Sequence, residues 1–483
     1  MDLQCLLDVL PSVRVRGTTD ICIGQIKCDS RQVEAGDIFV AIRGGEERDR
    51  HQFIPDALAR KASAIVAEDD VQTGSTTLIL VEDCRAALAL LAARYYNYPD
   101  RELLNVGLTG TNGKTTTAFM LRQVLDAAGI SCGYVGTLGC QVRDRLEKTE
   151  NTTPEAVKLH ALLRSMIEAG KQAAVLEVSS HALALQRVAG MQFRLAVFTN
   201  LTRDHLNFHQ TEENYINAKA KLFKDLNNAW GGRAVVNIDD AAAPKMLEHV
   251  DVPVFTFGYS KEAQVRLLQM EETRAGMALD IQTPDGKIRV DTRLTGRFNC
   301  HNVLATVTSG LALELEPRAI CRGIAALANV PGRFERVAMG REFEVIVDYA
   351  HTPAALQIVL ETARELTRGR LICVFGCGGD RDRGKRPMMG RVAADLADKV
   401  YVTSDNPRSE SPAKIIDEIM VGIEGDVDAR IFPDRREAIR NAIEKALPGD
   451  VVVVAGKGHE EGQDFGDRVI DFDDRQVARE ALR

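Results

Sequence analysis

Nowhere in its 483 residues does the chain approach the ~20 consecutive apolar residues that a membrane-spanning helix needs. Residues 1–16 lack a basic start followed by a long apolar run, so no secretory signal is expected there. The ten cysteines are scattered without a repeating pattern, whereas a disulfide scaffold is short and cysteine-dense. Free thiols in a reducing compartment follow, and the chain reads as cytoplasmic. Cys373 and Cys377 could suggest a metal pair, as could His205 and His209, but neither comes with the second pair that a zinc site requires. Positive charge is not in excess either. A net charge of −8 and a pI near 5.7 argue against nucleic acid as the main partner, because phosphate backbones need a basic surface. A polyanionic small molecule stays open, since a local Arg/Lys pocket leaves no mark on the net charge. Internal repeats and low-complexity segments are absent.

What is present is ordinary for a globular protein: 45% hydrophobic and 27% charged residues. At roughly 100–200 residues per domain the length predicts about three domains, expected at 1–100, 101–330 and 331–483. In the first, a strand at 36–41, a polar loop at 44–51, a helical stretch at 57–62, a strand at 64–67 and a helix at 86–96 describe a small α/β unit. Asn97-Tyr98-Pro99-Asp100 breaks that last helix and marks a boundary. The second opens with a strand at 103–108, a glycine loop, and a helix whose apolar Phe119, Met120, Val124 and Leu125 share one side, ending before Gly129. Strands at 173–178 and 195–199 follow, and their alternation with helices predicts a mainly parallel sheet. The third has apolar runs at 344–347, 371–375, 400–403 and 451–454, each ending directly in a polar or glycine-rich loop. In open α/β sheets ligands sit outside the carboxyl ends of strands, so these loops suggest a second binding surface. The predicted class is α/β, with a central P-loop-type sheet and a Rossmann-like C-terminal sheet.

The loop Thr109-Gly110-Thr111-Asn112-Gly113-Lys114-Thr115-Thr116 is the strongest chemical signal. Gly110 and Gly113 let backbone N–H groups approach phosphate oxygens. Lys114 would reach the β- and γ-phosphates of ATP, Thr115 would offer its hydroxyl to Mg²⁺, and the helix start adds its positive end. Leu108 stands where the common P-loop has its first glycine. Glu177, at a neighbouring strand end, is either a Mg²⁺-binding acid or a solvated carboxylate. Asp204-His205 follows another strand end, where His205 could ligate a divalent metal or lie on the surface behind a capping Asp204. Lys219 falls on a predicted helix and by itself reads as a solvated face. Arg381, Arg383 and Arg386 crowd one strand-end loop and Arg408 another, and guanidinium forks match carboxylates, so these loops point to anion recognition.

Together these motifs resemble the Mur ligases of bacterial cell-wall synthesis. The resemblance rests on the loop 109–116, Glu177-Val178-Ser179-Ser180-His181, the stretch 200–206, Gly296-Arg297-Phe298-Asn299 through Asn302, Pro331-Gly332-Arg333-Phe334-Glu335 and Asp348-Tyr349-Ala350-His351-Thr352-Pro353, in family order over the whole chain. Asp405-Asn406-Pro407-Arg408 resembles the version of the family that adds meso-diaminopimelate rather than L-lysine. The resemblance implies a monomeric enzyme that phosphorylates the D-glutamate side chain of UDP-N-acetylmuramoyl-L-alanyl-D-glutamate with ATP and lets the diaminopimelate amine displace the phosphate. By family correspondence, Gly110 to Thr116, Asn302, Arg333, Asp348 and His351 contact the nucleotide. Thr115, Glu177 and His205 serve Mg²⁺, with two sites expected, and Lys219 carries a carbamate from CO₂ that holds the second. Cys28, Ser30, Thr152, Thr153, Ser179 and Arg187 hold the UDP-sugar dipeptide, and Arg381, Asp405, Asn406, Pro407, Arg408, Gly456 and Glu460 hold diaminopimelate. Gln186 stands one place from the family's glutamine, with Leu185 in that position; one residue of helix turns a side chain by about 100°, which sets Gln186 apart from the family contact.

A sister ligase adding lysine or D-Ala-D-Ala, or a folylpolyglutamate synthetase, would share the ATP loop but not the 405–408 loop or Asp29-Ser30-Arg31. A P-loop switch ATPase would need no amino-acid pocket. On the ligase reading, Arg408 left unpaired by lysine would disfavour it by roughly 3–5 kcal/mol, on the order of a hundred- to several-thousand-fold.

Overall fold

The runs that read as buried strands form the middles of three separate sheets. The structure, a computed structural model, describes residues 1–44, 49–273, 276–337 and 342–483. The polar loop expected at 44–51 falls in part outside the described residues; its end is a 3₁₀ turn, Arg50–Phe53.

In the first sheet, Ile26–Lys27, Ile38–Val40, Ala64–Ala67 and Thr77–Leu80 run parallel in that order, with Arg14–Arg16 antiparallel on the far edge. The helix expected at 57–62 lies earlier, Ile54–Ala59, because Pro55 suits a first helical turn. The helix Cys84–Tyr95 is capped by Asp83, whose side chain accepts from the N–H groups of Arg85 and Ala86. It ends where Asn97 and Tyr98 both take positive φ, +58° and +49°.

The second sheet has ten strands. Leu104–Thr109 lies between Ala173–Glu177 and Leu195–Phe198, parallel to both. Such a strand is covered on both faces, which is why its sequence is apolar without alternation. The sheet is mainly parallel, as expected, and its antiparallel pairs lie at the two edges. Cys132–Gly136 and Gly139–Gln141 form an antiparallel hairpin, and Val265–Thr273, Gly276–Thr283 and Gly286–Thr292 form an antiparallel meander. The meander buries Leu279, Ile281 and Val290 on one face. Its sequence signals are alternation and the Pro284-Asp285-Gly286 turn.

The third sheet orders Glu335–Arg336, Glu344–Asp348, Val451–Ala455, Leu371–Phe375, Lys399–Thr403 and Asp428–Phe432, parallel except for the first. The four apolar runs are its four middle strands. The edge strand Asp428–Phe432 escapes sequence reading because none of its residues is fully buried and it carries charge. Among the described residues no helix is long and apolar enough to cross a membrane.

Candidate active site

The loop after Leu104–Thr109 turns back on itself at Gly110, φ +146°, and Gly113, φ +85°. A Cβ at Gly110 would collide with Thr199 Oγ1, and one at Gly113 with Asn302 Oδ1. Neighbouring strand ends brace the loop: Asn112 N–H donates to Asn200 Oδ1 at 2.9 Å, and Thr199 Oγ1 donates to Asn112 O at 2.6 Å. No side chain caps the helix Lys114–Ala127 that follows, so its first N–H groups face the loop as an anion site. Lys114 Nζ curls back on Gly110 O, 2.8 Å, and Thr111 O, 2.9 Å. Burial holds its pKa below the ordinary lysine value, with Glu177 opposing.

Glu177 is not a solvated carboxylate. It is fully buried and accepts from Tyr134 Oη at 2.5 Å, from Thr115 and Thr137 Oγ1 at 3.0 Å each, and from the Thr137 N–H at 3.1 Å. Thr115 Oγ1 and Glu177 thus form one pair of hard oxygen donors. Tyr134 and Thr137, which sequence reading missed, lie on the hairpin that it also missed.

Lys219 corrects the solvated-face reading: only 1% exposed, it donates to Gly110 O at 2.9 Å and stands 4.4 Å from the centre of the Tyr215 ring. Burial, then Lys114, holds its pKa well below the ordinary value. His205 takes φ +54° at the start of the turn Leu206–His209; its ring packs edge-on against His181 at 4.7 Å, with Asp204 Oδ2 at 3.3 Å from Nε2. Desolvation lowers its pKa, with Asp204 pulling the other way. The alternative of a capping Asp204 is not met: its side chain accepts from the N–H of the next residue, His205.

The third sheet reaches into this site. Arg333 Nη2 donates to Thr115 Oγ1 at 3.1 Å, and its guanidinium lies 4.6 Å from the Tyr349 ring centre. Asp348 accepts from the N–H groups of Phe334 and Ala350, and burial raises its pKa. One cavity of about 470 Å³ is lined by residues 111–116, Glu177, His205, Asn302, Arg333, Asp348 and His351, so the structure gathers the expected nucleotide residues from two sheets. Asn237, Asp239 and His301 also line it and were not singled out from sequence. A larger neighbouring cavity, about 600 Å³, shares only Asp204 and Thr352 with it and has no phosphate loop.

The residues expected for the UDP-sugar dipeptide fall into two groups. Thr152 and Ser179 line the cavity; Thr153 Oγ1 donates to Glu177 O at 2.8 Å, and Arg187 donates to Thr153 O at 3.0 Å and pairs with Glu155 at 2.6 Å. Cys28 and Ser30 lie just past the strand Ile26–Lys27 of the first sheet, Ser30 opening the 3₁₀ turn Ser30–Gln32, and Arg50 donates to Cys28 O at 2.8 Å. Gln186 lies past the helix Ser180–Ala184 with φ +56° and donates to Asp83 of the first sheet's helix.

The residues expected for the amino acid form a third cluster beside His459, whose ring centre lies 5.1 Å from that of Tyr349. Arg408, φ +51°, donates to Gly379 O at 2.7 Å and has Asp464 at 3.7 Å. Asn406 Nδ2 donates to Glu460 Oε2 at 2.8 Å, and Asp405 abuts Gly456. Arg381 donates to Asp380 O at 2.9 Å, and its charge, after burial, Arg187 and Lys219, adds the smallest push holding His181 below its ordinary pKa. The expectation that Arg383 and Arg386 recognise an anion is corrected. Arg386 is fully buried against Glu410 and Glu418, and Arg383 pairs with Glu418. These arginines fasten the first loop and the start of its helix Lys385–Leu396 to Glu410, just past the second loop, and to Glu418 on the following helix Pro412–Met420.

The chain matches the profile of the Mur ligase middle domain over residues 108–310 and that of the Mur ligase glutamate ligase domain over 332–458. A protein of Syntrophomonas wolfei named UDP-N-acetylmuramoyl-L-alanyl-D-glutamate--2,6-diaminopimelate ligase is 45% identical, covering 97% of this chain and 96% of its own. One of the same name from Geobacillus thermodenitrificans is 43% identical over 100% and 99%. A solved structure with that name matches with a TM-score of 0.70 at 33% identity, covering 99% of this chain and 98% of its own.

Proposed function

Because the chain belongs to the Mur ligase family, we propose that it spends ATP to join meso-2,6-diaminopimelate to the D-glutamate side chain of UDP-N-acetylmuramoyl-L-alanyl-D-glutamate. The observation that carries this is one cleft in which a phosphate loop, the buried Glu177 and an arginine from the segment leading into another sheet converge, with Tyr349 of that cleft packed 5.1 Å from the ring of His459, the neighbour of Glu460. Full-length relatives named as such ligases support it, and the switch-ATPase reading has no comparable support.

A carboxylate is a poor electrophile until it carries a leaving group. Transfer of the γ-phosphoryl group to the glutamate oxygen forms an acyl phosphate; the diaminopimelate amine then attacks its carbonyl carbon, and phosphate leaves as the amide forms. In this reading the N–H groups of the 110–114 turn and the helix start cradle the phosphates. Lys114 turns from the loop carbonyls to the anion, and Arg333 meets the developing charge. Asn302, Asp348 and His351 orient the nucleotide. Thr153, Ser179 and Arg187 bring the acceptor peptide to Glu177, while Cys28 and Ser30 hold the nucleotide-sugar end, and Arg381, 405–408, Gly456 and Glu460 take diaminopimelate.

Thr115 Oγ1 and Glu177 fit Mg²⁺, which favours hard oxygen donors and binds through one or two carboxylates plus substrate phosphates. When bound there it would offset the repulsion between the carboxylate and the γ-phosphate. Lys219 fits a carbamate: CO₂ adds to an uncharged amine with loss of a proton, and burial favours that amine. The resulting anion, beside His205, would hold a second Mg²⁺. We also place the enzyme in the cytoplasm as a monomer with three domains, 1–100, 101–330 and 331–483; the separate sheets support that division.

Phosphate release from ATP, with the UDP-sugar dipeptide, Mg²⁺ and either meso-diaminopimelate or L-lysine, tests the reading. Release that requires both the dipeptide and diaminopimelate is expected. Release with lysine instead would reassign the 405–408 loop, and release needing neither would leave only an ATPase.

A further inference from the structure

We propose that Lys457, which belongs to none of the contact sets above, is the positioning residue that gives the amino-acid site its polarity; this rests on reading Asn406 and Glu460 as substrate contacts. Lys457 follows the strand Val451–Ala455 and is fully buried. Its Nζ donates to Asn406 Oδ1 at 2.8 Å and to Glu460 Oε2 at 2.9 Å.

The two ends of a side-chain amide are nearly the same shape, so only the surrounding donors and acceptors decide which way it points. Asn406 Oδ1 receives two donors, the Lys457 ammonium and the Asp464 N–H at 3.0 Å. An ammonium has no acceptor to offer, so the amide nitrogen must turn the other way. There it meets Glu460 Oε2 at 2.8 Å. Oε2 therefore takes two donors, one of them charged, while Oε1 has no protein donor among the described residues. The arrangement converts a pair of rotatable groups into a fixed set: one carboxylate oxygen held by the protein, the other presented to an incoming ammonium. The far end of diaminopimelate carries both an ammonium and a carboxylate, and Arg408 lies in the same loop as Asn406. Lys457 thus fixes the acceptor half of that recognition without touching the ligand.

The experiment is a double-mutant cycle in the full-length enzyme with diaminopimelate as the varied substrate. Lys457→Met removes the ammonium and keeps an unbranched apolar stem. It is expected to raise the KM for diaminopimelate about tenfold or more, with kcat changed by less than about threefold and the KM for ATP unmoved. Glu460→Gln should raise the same KM. The double variant should be no worse than the poorer single variant, because nothing is then left for Lys457 to position. Fold-changes that multiply would make Lys457 a general structural support and overturn the proposal. A Glu460→Gln enzyme with unchanged KM would instead overturn the underlying reading of the site. Asn406→Asp provides a second arm independent of Lys457→Met folding. It keeps the Oδ1 acceptor for Lys457 and the Asp464 N–H but puts an anion where the Nδ2 donor faced Glu460. Its KM for diaminopimelate should rise about tenfold or more, and adding Glu460→Gln should raise it little further; an unchanged KM in Asn406→Asp would overturn the proposal.

Discussion

Arg408 shows how a residue identified from sequence acquires a different energy from its surroundings. Sequence reasoning treats it as a charge left unpaired when lysine replaces diaminopimelate. In the structure Gly379 O and Asp464 remain its partners, so discrimination should sit at the low end of the expected range. Arg408→Ala is predicted to raise the KM for diaminopimelate roughly ten- to a hundredfold, with a smaller change in kcat; steady-state kinetics with both amino acids checks this, and an unchanged KM would remove Arg408 from the site. Glu410 yields a pH prediction. Hydrogen bonds from Arg386 are the first cause holding its pKa down at about 2. A folded-state pKa below the unfolded value, about 4.3 for glutamate, gives stability that is complete above that value and is lost as pH falls through the folded one. Glu410→Gln should therefore be less stable than the parent at neutral pH, with the gap closing across the acid window, as followed by urea unfolding. The phosphate-loop residues were legible because glycine, lysine and threonine at fixed spacing have few other uses. Arg386 was misread and Lys457 passed over because whether a cation faces a ligand or a buried carboxylate depends on partners distant in sequence.

Helices and central strands were legible for a related reason: a strand covered on both faces must be apolar throughout, as in Val451–Ala455. The antiparallel edges were not, since Gly276–Thr283 shows only a period-two pattern interrupted by turns. That gap mattered for the site, because the hairpin Cys132–Gly136 and Gly139–Gln141 brings Tyr134 and Thr137 to Glu177. Tyr134→Phe is predicted to lower stability by about 1–3 kcal/mol, read by denaturant unfolding, because a buried carboxylate loses a donor. Asp83 acts at the level of a whole helix. It caps Cys84–Tyr95 and also receives Gln186. Asp83→Ala should cost about 1–2 kcal/mol through the lost cap, and it should loosen the first sheet from the second. A rise in the KM for the UDP-sugar dipeptide would show the latter.

Across the whole molecule the site is shared. Arg333, from the segment leading into the third sheet, reaches Thr115 beside the second, and Lys148 pairs with Glu461 across the same boundary at 2.6 Å. A nucleotide in the cleft should therefore stabilise both parts. ADP at about a hundred times its Kd should add about 2.7 kcal/mol, seen as a rise in Tm, and Arg333→Ala should shrink that rise. The resemblance had put Arg333 and Thr115 on one nucleotide, but the Lys148–Glu461 pair was not legible, since sequence order does not say which loops face each other. The separation of Thr115 and Arg333 by 218 residues also bears on synthesis. At about 5–20 residues per second, a ribosome exposes the phosphate loop roughly 10–45 seconds before the arginine that completes it. The braces that shape the loop, Asn200 against Asn112 and Asn302 against Gly113, are also synthesised after it, so the phosphate loop is expected to emerge as an unshaped segment and to become a nucleotide site only once those downstream strand and helix ends have been added.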